Sequence, residues 1–362
     1  MLPRPLYLLV ATCLFASVPP AQTTVIFLGA DTAADKAIQT YLEGRYGKTN
    51  VTFQTTEPVG TVKASTILGF DVAVLSSTPS SARYRNILHD SSTPIVNLEE
   101  AVADNVPAGE FSVTTGRTKE TELAAHALTI RAAHPITAGF AVNQKVTITT
   151  GAAEVWWSTG VQAAGAVSVA TDDDTATNLF LTYVDVGGTL LNTQKAICRR
   201  VMFGLTDNSF NFFTADGKKL FGQAVDWAAN GCCAQRNNYG TGFAGTRGIP
   251  TITTSGRPVF GSTINVTVSN SLGAATQGLL LVGQQPVSVP LLGGTLLVNP
   301  LFEAYVPVPI NGFTFGVSIP DLSALCGVAP KSLLYYTQFL QLDRGATWGA
   351  SFTPGLRLKF GK

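Results

Sequence analysis

The sequence carries little charge. Charged residues make up 13% of its 362 residues, about half the roughly 25% found in an average soluble domain. Lys and Arg number 24 and Asp and Glu 23, which leaves a formal net charge of +1. A protein that follows nucleic-acid phosphates needs a basic surplus to release counterions. The composition therefore argues against a nucleic-acid partner.

Histidine is also scarce. The chain has 3 His residues, so few groups are suited to acid–base catalysis near neutral pH. The hydrophobic content of 45% is ample for a buried core and excludes a disordered chain. At ~100–200 residues per domain, the length predicts two domains.

After residue 21, no segment reaches the ~18 consecutive apolar residues of a transmembrane helix. Before it, Arg4 precedes an apolar run from Leu6 to Val18, and Pro19-Pro20-Ala21 follows. This layout predicts a secretory signal peptide over residues 1–21, with the small Ala21 at the cleavage site. The mature chain is then secreted or held at the cell surface. The alternative is a lipoprotein modified at Cys13.

Cysteine is rare, but its number is informative in an exported chain. Removal of residues 1–21 leaves Cys198, Cys232, Cys233 and Cys326. An even number in an oxidising compartment predicts disulfides, and four cysteines allow three pairings. Because adjacent cysteines rarely bond to each other, we expect Cys198–Cys232 in the first domain and Cys233–Cys326 in the second. A zinc site is the alternative, but no CxxC pair or nearby His supports it, and we expect neither a metal nor a cofactor.

From Thr24 to about Asn230, strand patterns alternate with helical patterns. Phe70–Leu75 is a near-continuous apolar run, typical of a strand covered on both faces. Thr24–Leu28 and Pro94–Leu98 are further strand candidates, and Asp216–Ala229 has the apolar spacing of an amphipathic helix. The pattern predicts an α/β domain over residues 22–231 with an open, mostly parallel sheet layered with helices, as in flavodoxin-like folds.

After Cys233 the helical period disappears. Turn signals rich in Gly and Pro separate short alternating runs, which predicts an all-β sandwich over residues 232–362. The runs are Thr263–Val268, Gly278–Val282, Phe302–Val306, Thr314–Ile319, Leu333–Leu340 and Leu356–Phe360.

Four residues are candidates for chemistry. Asp31, Ser76 and Glu99 follow predicted strands, and open α/β sheets bind ligands beyond the carboxyl ends of their strands. Glu99 is a candidate general base, whereas Asp31 and Ser76 also suit helix capping or turns. His134 precedes Pro135, which favours an extended backbone and a turn histidine bonded to the backbone.

Two further patterns have alternative interpretations. Trp156-Trp157 and Tyr335-Tyr336 could stack on sugars, but adjacent strand residues point to opposite faces, so at most one of each pair would face outward. Asp172-Asp173-Asp174 could bind calcium. Since it lacks the alternating layout of a calcium loop, a solvated acidic loop is the simpler interpretation.

The C-terminal half resembles a domain found at the ends of exported planctomycete and related bacterial proteins. The resemblance covers nearly all of Cys233–Lys362 and implies surface association or interaction, and the family brings no established catalytic activity. It rests on Tyr239-Gly240-Thr241-Gly242 with Gly245, Pro258 with Gly261, Ile319-Pro320, Gly327, Leu334-Tyr335-Tyr336-Thr337-Gln338, Asp343 and Gly355-Leu356.

The N-terminal half resembles the class I glutamine-amidotransferase-like superfamily, near its ThuA-like branch. The matching segments are Phe70-Asp71-Val72-Ala73-Val74, Pro94-Ile95-Val96, His134–Phe140, Arg200-Val201 and Leu220 to Trp227. Amidotransferases of this superfamily place a Cys nucleophile in a tight turn after a buried strand. Here the corresponding turn carries Asn97-Leu98-Glu99-Glu100, so thiolate chemistry is not expected.

Together these observations predict an exported, non-catalytic binding or accessory protein. Its expected partner is an extracellular or cell-surface polymer, with polysaccharide as one candidate. The alternative is a secreted hydrolase of a carbohydrate or ester that uses Glu99, His134, Ser76 or Asp31. A structural envelope protein is a third class compatible with the low charge.

Overall fold

The computed structural model describes residues 23–361 except 59–60, 85–90, 104–112, 122–124, 152, 232 and 323–333. The predicted signal peptide, with Cys13, lies outside this range. The described chain divides into a first unit, Gln22–Cys233, and a second unit, Ala234–Lys362. Strand residues (44%) outnumber helix residues (17%), so the molecule is mostly β.

The first unit is built on an 11-stranded sheet. The strands are β1 (Val25–Gly29), β2 (Val51–Thr55), β3 (Val72–Leu75), β4 (Ile95–Asn97), β5 (Thr114–Thr121), β6 (Ala127–Ile130), β7 (Lys145–Thr147), β8 (Glu154–Gln162), β9 (Ala166–Asp172), β10 (Leu179–Val184) and β11 (Arg200–Phe203). Their main order in the sheet is β2-β1-β3-β4-β11-β10-β9-β6-β7, and β8 pairs with both β10 and β5 beside this path.

The sheet is mixed, so the expectation of a mostly parallel sheet is wrong. Strands β2, β1, β3, β4 and β11 are parallel to one another. From β11 onward, the pairs to β10, β9, β6 and β7 are antiparallel. Antiparallel strands need no crossover helix, which explains why the helical pattern lapses between α2 (Glu100–Ala103) and α3 (Ala215–Ala229).

Both long helices pack on one face of this sheet. The core on that face combines Phe27 and Val74 of the strands with Ile38 of α1 (Ala33–Tyr46) and Leu220 of α3. The opposite face is also buried, but shorter segments cover it, including the 3-10 turn Ala64–Ile67, Tyr84 and α2. Burial on both faces explains the continuous apolar runs of β1, β3 and β4.

The described elements of the second unit are strands. They are β12 (Gln235–Tyr239), β13 (Ile252–Thr254), β14 (Thr263–Val268), β15 (Thr276–Gly283), β16 (Gln285–Leu291), β17 (Gly294–Asn299), β18 (Phe302–Val308), β19 (Phe313–Ser318), β20 (Leu334–Leu342), β21 (Ala350–Phe352) and β22 (Gly355–Lys359). A six-stranded sheet has the order β12-β22-β20-β15-β18 with β21 beside β20, and a three-stranded sheet has the order β13-β14-β19. Strands β16 and β17 pair as a hairpin.

One hydrophobic core joins residues of the two larger sheets. Val266 and Val268 of β14 share this core with Leu280 of β15, Phe339 of β20 and Leu356 of β22. The face of the six-stranded sheet turned away from this core is called the outer face below. Because side chains alternate along a strand, it carries Leu279 and Leu340.

The cysteine pairing differs from the expectation. Cys198 is bonded to Cys233, with Cα atoms 5.4 Å apart, so the predicted pairs Cys198–Cys232 and Cys233–Cys326 are both wrong. The path of the chain after α3 brings Cys233 to Cys198. Cys232 and Cys326 lie outside the described residues.

Candidate functional site

Beyond the carboxyl ends of β1 and β3, a buried carboxylate organises the sheet edge. Asp35 is fully buried and its carboxylate accepts hydrogen bonds from the backbone N–H groups of Ala30 (2.9 Å) and Thr32 (3.1 Å). It also accepts hydrogen bonds from the hydroxyls of Ser76 (2.5 Å) and Thr78 (2.8 Å). The chain itself therefore supplies all the donors needed to hold this charge.

Local sequence explains how Asp35 reaches this position. Thr32 caps α1 by accepting a hydrogen bond from Asp35 N, while the Asp35 side chain bonds back to Thr32 N, so the two form a capping box. Gly29 leaves the room that the carboxylate needs, because a Cβ there would lie 2.8 Å from Cγ of Asp35. Any side chain at Gly29 would push Asp35 away from its donors.

Ser76 is fully buried, and its hydroxyl is engaged on both sides. It donates to Asp35 Oδ1 and accepts from Thr78 N at 3.2 Å. The hydroxyl of Tyr84 extends the network by donating to the backbone carbonyls of Leu28 (3.1 Å) and Ser76 (3.2 Å). Burial, followed by the nearby carboxylates of Glu99 and Asp35, raises the pKa of Tyr84 well above its usual range. The phenol therefore stays a neutral donor.

Glu99 lies just beyond the end of β4 and is buried, with 6% of its surface exposed. Its backbone N–H donates to Oδ1 of Asn97 at 3.2 Å, and its Oε1 accepts from the N–H of Ala101 at 3.3 Å. The next residue, Glu100, pairs with Lys119 at 3.1 Å. Both glutamates of this turn thus have partners within the protein.

Asp31 does not cap α1, since Thr32 occupies that position. Asp31 has a backbone φ of 63°, the left-handed region that Asp tolerates better than most residues. Its side chain is 60% exposed and lies 3.7 Å from the amine of Lys36. It therefore stands outside the Asp35 network, although it occupies the same turn.

His134 lies at the opposite edge of the sheet from Glu99. Strand β4 is parallel to β11, and the successive pairs β11–β10, β10–β9 and β9–β6 are antiparallel. Strand β6 therefore runs opposite to β4 and ends where β4 begins. Because Glu99 follows β4 and His134 follows β6, direct proton exchange between them is excluded by the topology.

His134 belongs to an aromatic group with Tyr183, Trp227 and Arg199, called the His134 cluster below. The imidazole stacks on Tyr183 with ring centroids 4.3 Å apart and meets Trp227 edge-on at 5.0 Å. Nδ1 of His134 accepts a hydrogen bond from the N–H of Ile136 at 3.2 Å. Burial, followed by the positive charge of Arg199, lowers the pKa of His134, which favours the neutral imidazole.

Neither ring of the first aromatic pair faces outward. Trp156 and Trp157 are 0% and 1% exposed, because the sheet that holds β8 is covered on both faces and each ring enters one of its two cores. Tyr335 and Tyr336 are half-buried. Among the described residues, the most exposed aromatic side chains are instead Tyr305 (83%) and Trp348 (62%) in the second unit.

Tyr305 starts a line of apolar side chains across the outer face. It pairs with Leu279 of β15, which pairs with Leu340 of β20, and cross-strand partners share a face. We call Tyr305, Leu279 and Leu340 the Tyr305 row. Leu340 in turn pairs with Phe352 of β21, which is fully buried.

Trp348 lies on the same side of the sheet. The tip of the β16–β17 hairpin covers Phe352, since a Cβ at Gly294 would lie 2.7 Å from its ring. At the neighbouring Gly293, whose φ is +75°, a Cβ would overlap the indole of Trp348. The indole therefore packs on the glycine backbone, and its position is fixed even though most of its surface is exposed.

Four residues were not predicted from the sequence: Asp35, Thr78, Tyr305 and Trp348. For Asp35 a signal was present, because a Thr three residues before an acidic residue at a helix start is a capping-box pattern. For Tyr305 and Trp348 the sequence carries no such signal, because their exposure depends on which face of the sheet the hairpin covers.

Among the described residues, no cluster of three or more His, Cys, Asp or Glu side chains is placed to hold a metal ion. Asp173 of the acidic loop pairs with Lys145 at 3.2 Å. No helix within the described ranges is both long and apolar enough to cross a membrane.

Comparison with protein-family models and with curated proteins finds no match. Among solved structures, the chain is similar to a ThuA-like protein from Bacteroides uniformis, with 11% sequence identity and a TM-score of 0.40. The match covers 60% of this chain and 94% of that chain. This similarity is too low to carry structure or function over to this chain.

Proposed function

We propose that this chain is an exported binding protein without catalytic activity, which contacts extracellular or cell-envelope material such as polysaccharide. Its first unit is a ThuA-like, flavodoxin-like domain without the Cys nucleophile of the amidotransferases, and its second unit is a β-sandwich that associates with surfaces. The observation that carries the proposal is the separation of His134 from Ser76, Glu99 and Asp31. Ser76 is bonded to Asp35 at one edge of the sheet, and His134 lies at the other.

The Asp35 network supports the non-catalytic part of the proposal. In open α/β sheets, the backbone N–H groups between the first strand and its helix commonly bind an anionic ligand. Here the N–H groups of Ala30 and Thr32 bind the carboxylate of Asp35. A phosphate or carboxylate ligand would have to displace a buried, hydrogen-bonded charge to reach them, which is costly.

The same network speaks against Ser76 as a nucleophile. A serine nucleophile needs a base that can accept its proton and return it to a leaving group. The group that accepts the Ser76 hydroxyl is a carboxylate already bonded to three other residues, and His134 lies beyond the other edge. The hydrolase alternative therefore has no assembled set of residues among those described.

The test is a depletion assay on the mature chain, residues 22–362. The protein is mixed with insoluble polysaccharides and cell envelopes, and the supernatant is assayed for remaining protein and for released sugars and acids. We expect depletion without product, and the same depletion for Glu99→Gln, Ser76→Ala and His134→Ala. Product release by the wild type that is lost in Ser76→Ala or Glu99→Gln would overturn the proposal.

A further inference from the structure

We infer that the outer face of the six-stranded sheet binds a neutral polysaccharide chain, with the rings of Tyr305 and Trp348 stacking on its sugars. This inference rests on the proposed function and names the ligand class and the surface. It starts from exposure: Tyr305 is 83% and Trp348 62% exposed. Large aromatic rings are usually buried, and their exposure on one side of a sheet marks an interaction surface.

The geometry of the row suits a flat ligand. Tyr305, Leu279 and Leu340 lie side by side on three adjacent strands, about 10 Å from the first strand to the third. Leu342, two residues beyond Leu340 and 61% exposed, widens the apolar surface on one side. Sugar rings present apolar C–H faces, which pack against surfaces of this shape.

Polar side chains flank the row where sugar hydroxyls would lie. Glu303, two residues before Tyr305 on β18, is exposed, and Gln277 of β15, which pairs with Pro307, is exposed on the other side. A carboxylate and an amide offer several acceptors and two donors for hydroxyl groups. Because Glu303 is the one charged residue among these neighbours, an uncharged polyol fits better than a polyanion.

Trp348 provides a second, separately built contact. Its indole packs on Gly293 at the hairpin tip, with Phe243 also adjacent to that glycine. The ring therefore loses little conformational freedom on binding, which favours affinity. The exposed Leu292, with a φ of 45°, lies beside Gly293 at the same tip.

A second copy of the chain suits this surface less well. A stable dimer buries ~800 Å² per partner around a fully apolar centre. Here the apolar surface is narrow, since Glu303 and Gln277 interrupt the Tyr305 row on its two sides, and the two leucines of the row are already half-buried. The shape corresponds to a single polymer chain rather than to a broad protein interface.

The experiment is affinity electrophoresis, which measures how far a soluble neutral polysaccharide in the gel retards the full mature chain. Xylan, glucomannan and hydroxyethylcellulose are tested separately. The variants are Tyr305→Ala, Trp348→Ala, the double variant and Tyr305→Phe. Phe212→Ala is the matched control, because Phe212 is an aromatic residue of the first unit that is 41% exposed. Sedimentation velocity of each variant reports the oligomeric state.

We expect one of these polysaccharides to retard the wild type, with affinity reduced about tenfold in each alanine variant and further in the double variant. Tyr305→Phe should retain most of the affinity because it keeps the ring, and Phe212→Ala should behave as the wild type.

If the wild type binds and the double variant binds equally well, the inference is wrong while the proposed function stands. If the wild type binds none of these polymers and no cell envelope, the proposed function fails as well. A wild-type dimer that Tyr305→Ala converts to monomer, without polysaccharide binding, would assign the surface to self-association and overturn the inference.

Discussion

The hydroxyl of Ser76 donates a 2.5 Å hydrogen bond to the buried carboxylate of Asp35. The bond joins the end of β3 to the first turn of α1, residues that are 41 positions apart in the sequence. In a hydrolase, a serine at this edge would point its hydroxyl toward substrate. Here the Ser76 hydroxyl points into the protein and helps to hold the carboxylate of Asp35, which also belongs to the capping box of α1.

Asp35→Ala should lower the free energy of unfolding by about 2–4 kcal/mol, because it removes the acceptor shared by the buried hydroxyl of Ser76, the hydroxyl of Thr78 and the backbone N–H groups of Ala30 and Thr32. Urea unfolding followed by circular dichroism measures the change. Asp31→Asn is the matched control, since Asp31 lies in the same turn but is exposed and Asn tolerates its positive φ. The control should change stability by no more than about 0.5 kcal/mol. A small effect of Asp35→Ala would mean that the network is not a structural element.

The Cys198–Cys233 disulfide closes a 35-residue separation. In the chain-entropy model a loop of this length contributes about 3–4 kcal/mol, so Cys198→Ala should unfold at clearly lower urea concentration than the oxidised wild type. The pairing itself is checked by non-reducing peptide mapping. In Cys232→Ser the peptides that contain Cys198 and Cys233 should remain linked, whereas in Cys233→Ser this link should be lost. A wild-type-like link in Cys233→Ser would show that Cys198 bonds elsewhere.

Asp343 connects separate loops of the second unit and should make its stability acid-sensitive. Burial raises the pKa of this carboxyl, but hydrogen bonds from Thr246, Ser271 and Gly345 outweigh burial and lower it overall. A carboxyl whose pKa is lower in the folded protein than in the unfolded chain stabilises the fold at pH values above the unfolded-state pKa. This stabilisation is lost as the pH falls through the folded-state pKa.

Asp343→Asn should therefore cost about 1–3 kcal/mol near neutral pH, since the charged acceptor of several hydrogen bonds is lost. The difference from the wild type should shrink below about pH 4. Calorimetric unfolding at a series of pH values measures it, and Ser271→Ala should show a smaller loss because it removes one donor. A difference that grows on acidification would contradict this account.

His134 should titrate below about pH 6.5, the ordinary value for histidine. Burial and then Arg199 lower its pKa, so the unfolded chain binds this proton more tightly than the folded one. The corresponding stability is complete above the unfolded pKa and is lost as pH falls through the folded pKa. The chemical shift of the His134 imidazole, assigned with His134→Gln, gives the midpoint by NMR. Arg199→Gln should move that midpoint upward, and an unchanged midpoint would exclude the proposed influence of Arg199.

Several elements could be predicted from the sequence because their causes are local. The apolar runs at β1, β3 and β4 are continuous since both faces of the sheet are buried, and α3 shows its periodicity because one side packs on that sheet. The polarity of β5, which reads Thr-Thr-Gly-Arg-Thr-Lys-Glu-Thr, concealed a strand, because much of its surface is exposed. Position along the chain also brought Asp31, Ser76 and Glu99 near the strand ends, but it could not reveal that Asp35 occupies the donors there.

What the sequence by itself determined is the low charge, the apolar strands, the change from helical to strand patterns near Cys233 and the absence of a cysteine in the turn at Asn97–Glu100. Tertiary structure alone decided the relations between distant residues. The antiparallel strands after β11 placed His134 and Glu99 at opposite edges, and the exit from α3 turned Cys233 rather than Cys232 toward Cys198. The hairpin β16–β17 covered Phe352 and left Tyr305 and Trp348 exposed. Each of these outcomes depends on strand direction or on which face is covered, and both are set by long-range packing rather than by local residue pattern.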